Sequence, residues 1–372
     1  GYGGGSFIGT LGLTFNNFSL RNFLKFKDFK PVPQGDGHTL SIQAQAGQYF
    51  QNYGISFTEP WLFGTRPTAL SVSVNQSLVR YSDQFGETQK LNIFSASAGL
   101  NRLLRWPDDY FSLYTGIQYQ SYDFSNYPFQ FGNETEYNGS AKNFSFNVGL
   151  SRMSAGLDPI FPTQGSNLEA SVKFTPPYSL FSDKNYATMT NVEKYKWLEF
   201  YKVKMKADVY NTVVGKLVLR STAEMGFLNG YNKELGAPPF ERFYVGGTGL
   251  FGGRYDGREL LPLRGYENAS STGGTLEDVT PYGGATVYNR FALELRYPIS
   301  MNQTAKIYAL SFLEGGNAWN SFGTYNPFQL KRSAGVGVRV YMGAFGLIGF
   351  DFAYGFDKTL MGTEPAGWKT HF

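Results

Sequence analysis

The chain has 372 residues, 42% of them hydrophobic and 17% aromatic, with 45 glycines, two histidines, no cysteine and a formal net charge of +4. The missing cysteine excludes disulfides, thiolate nucleophiles and cysteine-ligated metals. The small, dispersed positive charge lacks the clustered basic face that nucleic-acid binding requires, and no window approaches the roughly 18 consecutive apolar residues of a membrane helix.

The chain opens on "GYGGGS", with neither a charged n-region nor an apolar h-region, as expected of a mature chain or an excised piece. No helical pattern follows these glycines, so they suit a hairpin turn rather than a phosphate cradle. Gly1, Tyr2 and Gly3 read as the tail of a first strand. Phe7–Phe18, Thr39–Gln48 and Tyr53–Trp61 read as the next strands, with Trp61 an anchor at a membrane interface. "TALSVSVNQS" sets Leu70, Val72 and Val74 against Ser71, Ser73 and Asn75, a period of two. "YFSLYTGIQYQSYDF" and "KNFSFNVGLSRMSAG" extend that alternation well beyond the 5–6 residues usual in a soluble sandwich. Their lengths suit membrane strands of about 9–11 residues or more, apolar toward lipid and polar toward a wet lumen. Tyr119, Tyr122 and Phe124 cluster at a run end, where an aromatic girdle is expected. "YKVKMKADVY" puts Tyr201, Val203 and Met205 on the lipid face and Lys202, Lys204 and Lys206 on the other, a solvated inner face.

A gap of nearly sixty residues, about Asn229 to Tyr288, then interrupts the pattern. It is rich in Phe, Tyr, Leu and Arg, which argues for a functional loop over a disordered one. Beyond it, "NRFALELRYP" turns Phe291, Leu293, Leu295 and Tyr297 to lipid and Glu294 inward. "ALSFLEGGNAW" carries Glu314. "RSAGVGVRVY" and "LIGFDFAYGF" send Val336, Val338, Phe350 and Phe352 outward, and Arg339 and Asp351 inward. Gly367–Phe372 opens a last strand. Short connections such as 63–67, 105–109 and 301–305 alternate with longer ones, as short periplasmic turns alternate with outer loops. Fourteen strands read as complete, with fragments at both ends, and sixteen is the natural even closure. The sequence thus predicts an all-β, antiparallel transmembrane β-barrel over residues 1–372. No helix is expected.

Within the long gap, "FERFYVGG" and "LRGY" resemble loop six of the BamA family of outer-membrane barrel-assembly insertases. "ISFTEPWLFG" (55–64) is similar to that family's early-strand turn, and "DPIFPTQGSNLEASVKF" (158–174) to its mid-barrel hairpin. The resemblance implies that loop six, 229–288, folds back into the barrel with Arg264, Gly265 and Tyr266 at its tip. Arg264 would then pair with acidic side chains on neighbouring strands, for which Glu294, Glu314 and Asp351 are the candidates. A guanidinium fork suits carboxylates, and a glycine beside it permits a tight turn. The resemblance further implies a lateral seam at Gly1, Tyr2 and Gly3 against Gly367, Trp368 and Phe372. A strand edge there would template incoming chains. Implied partners are unfolded outer-membrane barrels, accessory assembly lipoproteins docked through POTRA domains that do not occur in this chain, the lipid bilayer and lipopolysaccharide, in a Gram-negative outer membrane.

No enzyme is expected. His38 lies in "QGDGHT" and His371 near the end, neither beside a nucleophile motif, and no cofactor or metal site is evident. The alternatives are a secretion translocator of the same superfamily and a passive or substrate-specific pore.

Overall fold

A computed structural model describes residues 8–371 apart from 23–24, 26, 28–31, 63, 65–66, 83–87, 128, 132–133, 137, 157, 183, 248–258, 268–277, 303, 344–345 and 361. Fifteen strands form one antiparallel sheet in strict chain order. They are β1 (Ile8–Phe18), β2 (His38–Gly47), β3 (Phe50–Glu59), β4 (Thr68–Ser82), β5 (Thr88–Leu103), β6 (Phe111–Ser125), β7 (Gly139–Met153), β8 (Gly165–Phe174), β9 (Tyr201–Val214), β10 (Leu217–Asn229), β11 (Val287–Met301), β12 (Ala305–Trp319), β13 (Lys331–Met342), β14 (Gly346–Lys358) and β15 (Pro365–His371). Every neighbour is the next strand in sequence, the connectivity of an up-and-down barrel. Among the described residues, β1 and β15 are each paired on one side only.

The alternation read from the sequence places the side chains as expected. Tyr201, Met205, Val336, Val338, Phe350 and Phe352 are exposed on the outer face, and Val203 is half-buried there. Lys204 and Arg339 are half-buried and Asp351 buried on the inner face. Trp61 is exposed in the turn after β3, which ends at Glu59 because Pro60 cannot donate to a ladder. The predicted strands before it agree with β1 and β2, whereas β3 begins three residues earlier than read, at Phe50.

Three expectations change. First, the β8–β9 connection holds a one-turn helix, Asn191–Lys194, closed by a Thr190–Glu193 capping box. One turn is too short to leave an apolar stripe, so periodicity misses it. Second, the β1–β2 connection (19–37) is long although it lies at the short-turn end, and the β2–β3 turn is short although it lies at the other. Third, Tyr122 and Phe124 belong to no lipid girdle. Both point inward and are buried against Phe240 of the long loop, with ring centroids 4.6 and 6.5 Å away.

The inner wall therefore carries two apolar clusters. The larger joins Val79, Leu91, Tyr122 and Phe124 of the wall to loop residues including Phe240, Phe243, Val245 and Leu263. The smaller gathers Phe161, from the β7–β8 hairpin, with Tyr308, Leu310 and Phe312 of β12. Asp158 of that hairpin pairs with Lys306 at 2.8 Å, holding it to the base of β12.

Candidate functional site

The β10–β11 connection (230–286) folds back against the inner wall. Phe243–Val245 and Glu259–Leu261 pair as two short parallel strands, and bridges at Gly247–Leu263 and Phe243–Ala285 extend this folded unit. The Thr280 hydroxyl accepts from the Val245 N–H (2.6 Å) and donates to its carbonyl (3.0 Å), so a polar group inside the unit is satisfied. Phe243, Val245, Leu263 and Tyr266 are fully buried.

Arg264 leaves this unit as its tip and is only 4% exposed. Its Nε donates to Glu314 Oε2 at 2.6 Å and its Nη2 to Glu294 Oε1 at 2.8 Å, while Nη1 lies 3.8 Å from Asp351 Oδ2. The three predicted acidic partners thus converge from β11, β12 and β14 on one guanidinium. Its plane also lies over Phe312, 3.6 Å from the ring centroid, giving the cation an aromatic floor. Gly265 has φ +87, and a Cβ there would meet Ser333 Cβ at 2.8 Å, so the tip turns only with glycine. Tyr266 is clamped against β13 and β14: its hydroxyl donates to the Arg332 carbonyl (2.7 Å) and accepts from the Asp357 N–H (3.2 Å). Burial pushes its pKa up to about 12.

The sequence reading missed the arginines around this tip. Arg220 and Arg296 also reach Glu294, at 3.4 and 2.5 Å. Arg290 reaches Glu314 and, at 3.5 Å, Glu224, and Arg339 holds Asp351 through two bonds of 2.7 Å. With Arg220 on Asp208, five arginines meet five carboxylates, so the buried part of the network is charge-balanced, and the more exposed Lys206 lies at its edge, 4.0 Å from Asp208. The signal was present in "NRFALELR", where Arg290, Glu294 and Arg296 share a parity.

A second anchor corrects the reading of the lysine face. Lys202 is buried, and neither it nor Lys204 is a free solvated cation. Glu241 of the loop accepts from Lys173 at 2.5 Å and Lys202 at 3.3 Å. Glu259 binds Lys202 at 2.6 Å and Lys204 at 2.5 Å. Burial alone would raise the Glu241 pKa, but Lys173 and Lys202 together hold it below the ordinary carboxylate value. The loop is therefore held by opposite charge at its two ends: acidic on the β8–β9 side, basic on the β11–β14 side.

Of the predicted seam residues, Gly1, Tyr2, Gly3 and Phe372 lie outside the described residues. Gly367 and Trp368 lie in β15, where Gly367 has φ +76 and Trp368 stacks on Phe352 at 4.4 Å on the outer face. His371, passed over in the sequence because no nucleophile lies near it, is buried and contacts the loop tip.

Residues 34–365 match the family model described as the Omp85 superfamily domain. None of the curated protein sequences matches the chain significantly. Similar solved structures include BamA from Haemophilus ducreyi lacking POTRA domains 1-3, at 17% identity and a TM-score of 0.66, covering 98% of this chain and 69% of that one. They also include CdiB from Escherichia coli (14% identity, TM-score 0.58) and CdiB from Acinetobacter baumannii (12%, 0.51). Each of these two alignments covers 98% of this chain, but only 58% and 55% of the respective CdiB chains, so this chain spans little more than half their length. At such identities the likeness is one of fold. The fifteen-strand sheet, its inward-folded loop and a family match across most of the sequence agree: the chain belongs to the Omp85 superfamily and is an outer-membrane β-barrel.

Proposed function

We propose that the chain is the membrane barrel of an insertase, which receives unfolded outer-membrane proteins and lets their strands pair at the edge between β1 and β15. The observation that supports this reading over a pore or a translocator is the apolar packing of loop six against the inner wall. Phe240, Phe243, Val245, Leu261, Leu263 and Tyr266 of loop six are all buried against the wall and one another. Burying such side chains stabilises by about 1.5–3 kcal/mol each, so expelling the loop to clear the lumen costs on the order of 10 kcal/mol. A passenger crossing the lumen must meet that cost. A client pairing at the sheet edge need not.

The edge supplies the chemistry. An unpaired strand presents a row of N–H and C=O groups that an incoming strand can continue. Lipid cannot satisfy those groups, so an edge exposed there favours repair by a client strand. No covalent step is involved, and Arg264 acts by keeping the loop, and with it the wall, in one geometry. Accessory assembly lipoproteins and lipopolysaccharide are partners proposed on the family resemblance.

The test is reconstitution in vesicles. A urea-unfolded small outer-membrane barrel should fold faster with the chain present, read by its heat-modifiable gel mobility, and the acceleration should vanish when engineered cysteines cross-link β1 to β15. Steady ion conductance without accelerated folding would overturn the reading in favour of a pore. Passage of a secreted passenger insensitive to the cross-link would overturn it in favour of a translocator.

A further inference from the structure

Strand β15 is held by more than its ladder. Among the described residues β15 pairs only with β14, and the register slips between Gly355 and Lys358. Its inner face, however, touches the tip of loop six twice. Lys369 Nζ lies 2.9 Å from Glu267 Oε1, and the Gly265 N–H donates to His371 Nε2 at 2.8 Å. The second contact requires an unprotonated Nε2. A nitrogen that accepts from an N–H carries a lone pair, which the His371 ring offers at Nε2 in its neutral form with the proton on Nδ1.

We infer that His371 is a positioning residue that latches β15 to the loop-six tip, and that the latch holds only in the neutral form. Protonation puts an N–H at Nε2 facing the Gly265 N–H, so one hydrogen bond is lost and two buried donors oppose each other. The charged groups facing the ring come from three elements: Arg264 and Glu267 of the loop, Asp351 of β14 and Glu314 of β12. Arg264 repels an imidazolium. The carboxylates are already engaged, Asp351 by Arg339 and Arg264, Glu314 by Arg264 and Arg290, and Glu267 by Lys369. Docking of the loop and seating of the sheet's edge strand are thereby joined through residues adjacent in sequence, Arg264 and Gly265. The inference concerns the position of β15 and stands whether or not the chain inserts proteins.

Amide hydrogen exchange of the chain in lipid vesicles tests it, with rates normalised to intrinsic exchange at each pH. Segments 263–267 and 365–371 should be protected at pH 8 and exchange about tenfold faster at pH 5, the loss of about one net hydrogen bond. His371→Gln, whose amide oxygen accepts without titrating, should stay protected at both pH values, and His371→Leu should exchange fast at both. A Glu267→Gln variant should keep the pH step. Leucine as protected as histidine at pH 8, or glutamine retaining the step, would overturn the latch. Should His371→Leu fail to fold, nitrogen-15 spectra of histidine-labelled chain, assigned with His38→Gln, decide the matter. The Nδ1–H tautomer at pH 8 supports the latch, and the Nε2–H tautomer overturns it.

Discussion

Replacing Arg264 with alanine removes one cation from a buried network of five arginines and five carboxylates, leaving it one negative charge in excess. Breaking a buried ion pair costs about 3–5 kcal/mol when the surviving charge is left alone. Here no carboxylate is left alone: Glu294 keeps Arg220 and Arg296, Glu314 keeps Arg290, and Asp351 keeps Arg339. The lower end is therefore expected, about 3 kcal/mol, including the lost stacking on Phe312. That is roughly a hundredfold rise in the undocked fraction of the tip. Exchange of the amides at 259–267 reads it directly, while retention of the fast-migrating folded form in unheated gels shows that the barrel survives. Two further variants test the charge argument. Arg264→Lys keeps the charge but loses the fork, and should cost less than alanine. Adding Glu314→Gln to the alanine variant restores neutrality and should recover part of the loss. Exchange unchanged in Arg264→Ala would refute the lock. Strict additivity in the double variant would refute the coupling between Arg264 and Glu314.

Lysine at Val338, which is exposed on the outer face, should cost about 2–4 kcal/mol of refolding stability near the bilayer midplane, and lysine at lumen-facing Ser71 much less; equal losses in vesicle refolding would contradict the orientation. Tyr266, its pKa raised to about 12, adds stability that is fully present below its unfolded value near 10 and is lost as pH rises through 12. Alkaline titration should therefore undock the tip between pH 10 and 12, and a Tyr266→Phe chain showing the same step would exclude Tyr266 as its source. Gly355→Ala should push the tip outward without altering any charge, since its Cβ would lie 2.5 Å from the Gly265 carbonyl; overpacking of this kind costs about 1–3 kcal/mol, and wild-type exchange at 259–267 would contradict the close approach.

The tip lock was legible in the sequence and its second anchor was not, and the difference is physical. In a strand, parity alone fixes the face. Glu294, Glu314 and Asp351 could be aimed inward from their neighbours without knowing the register between strands, and the resemblance of the Arg-Gly-aromatic tip to the BamA family's loop six implied their common partner. Lys173 and Lys202 were just as readable as inward cations, but nothing local shows that a residue sixty-eight or thirty-nine positions away will come to meet them. Glu241 reaches them because the Pro238–Pro239 turn, the Phe240 ring between Tyr122 and Phe124, and the parallel pairing of Phe243–Val245 set the loop's path. Those are tertiary events. The same limit explains the girdle error: Tyr122 and Phe124 have the composition of a lipid-facing end, and only the arrival of Phe240 makes the inner face of β6 the drier side. It explains His371 as well. Its partner is a backbone N–H, which leaves no trace in composition, so a histidine without a nearby nucleophile looked idle until the loop that carries Gly265 was in place.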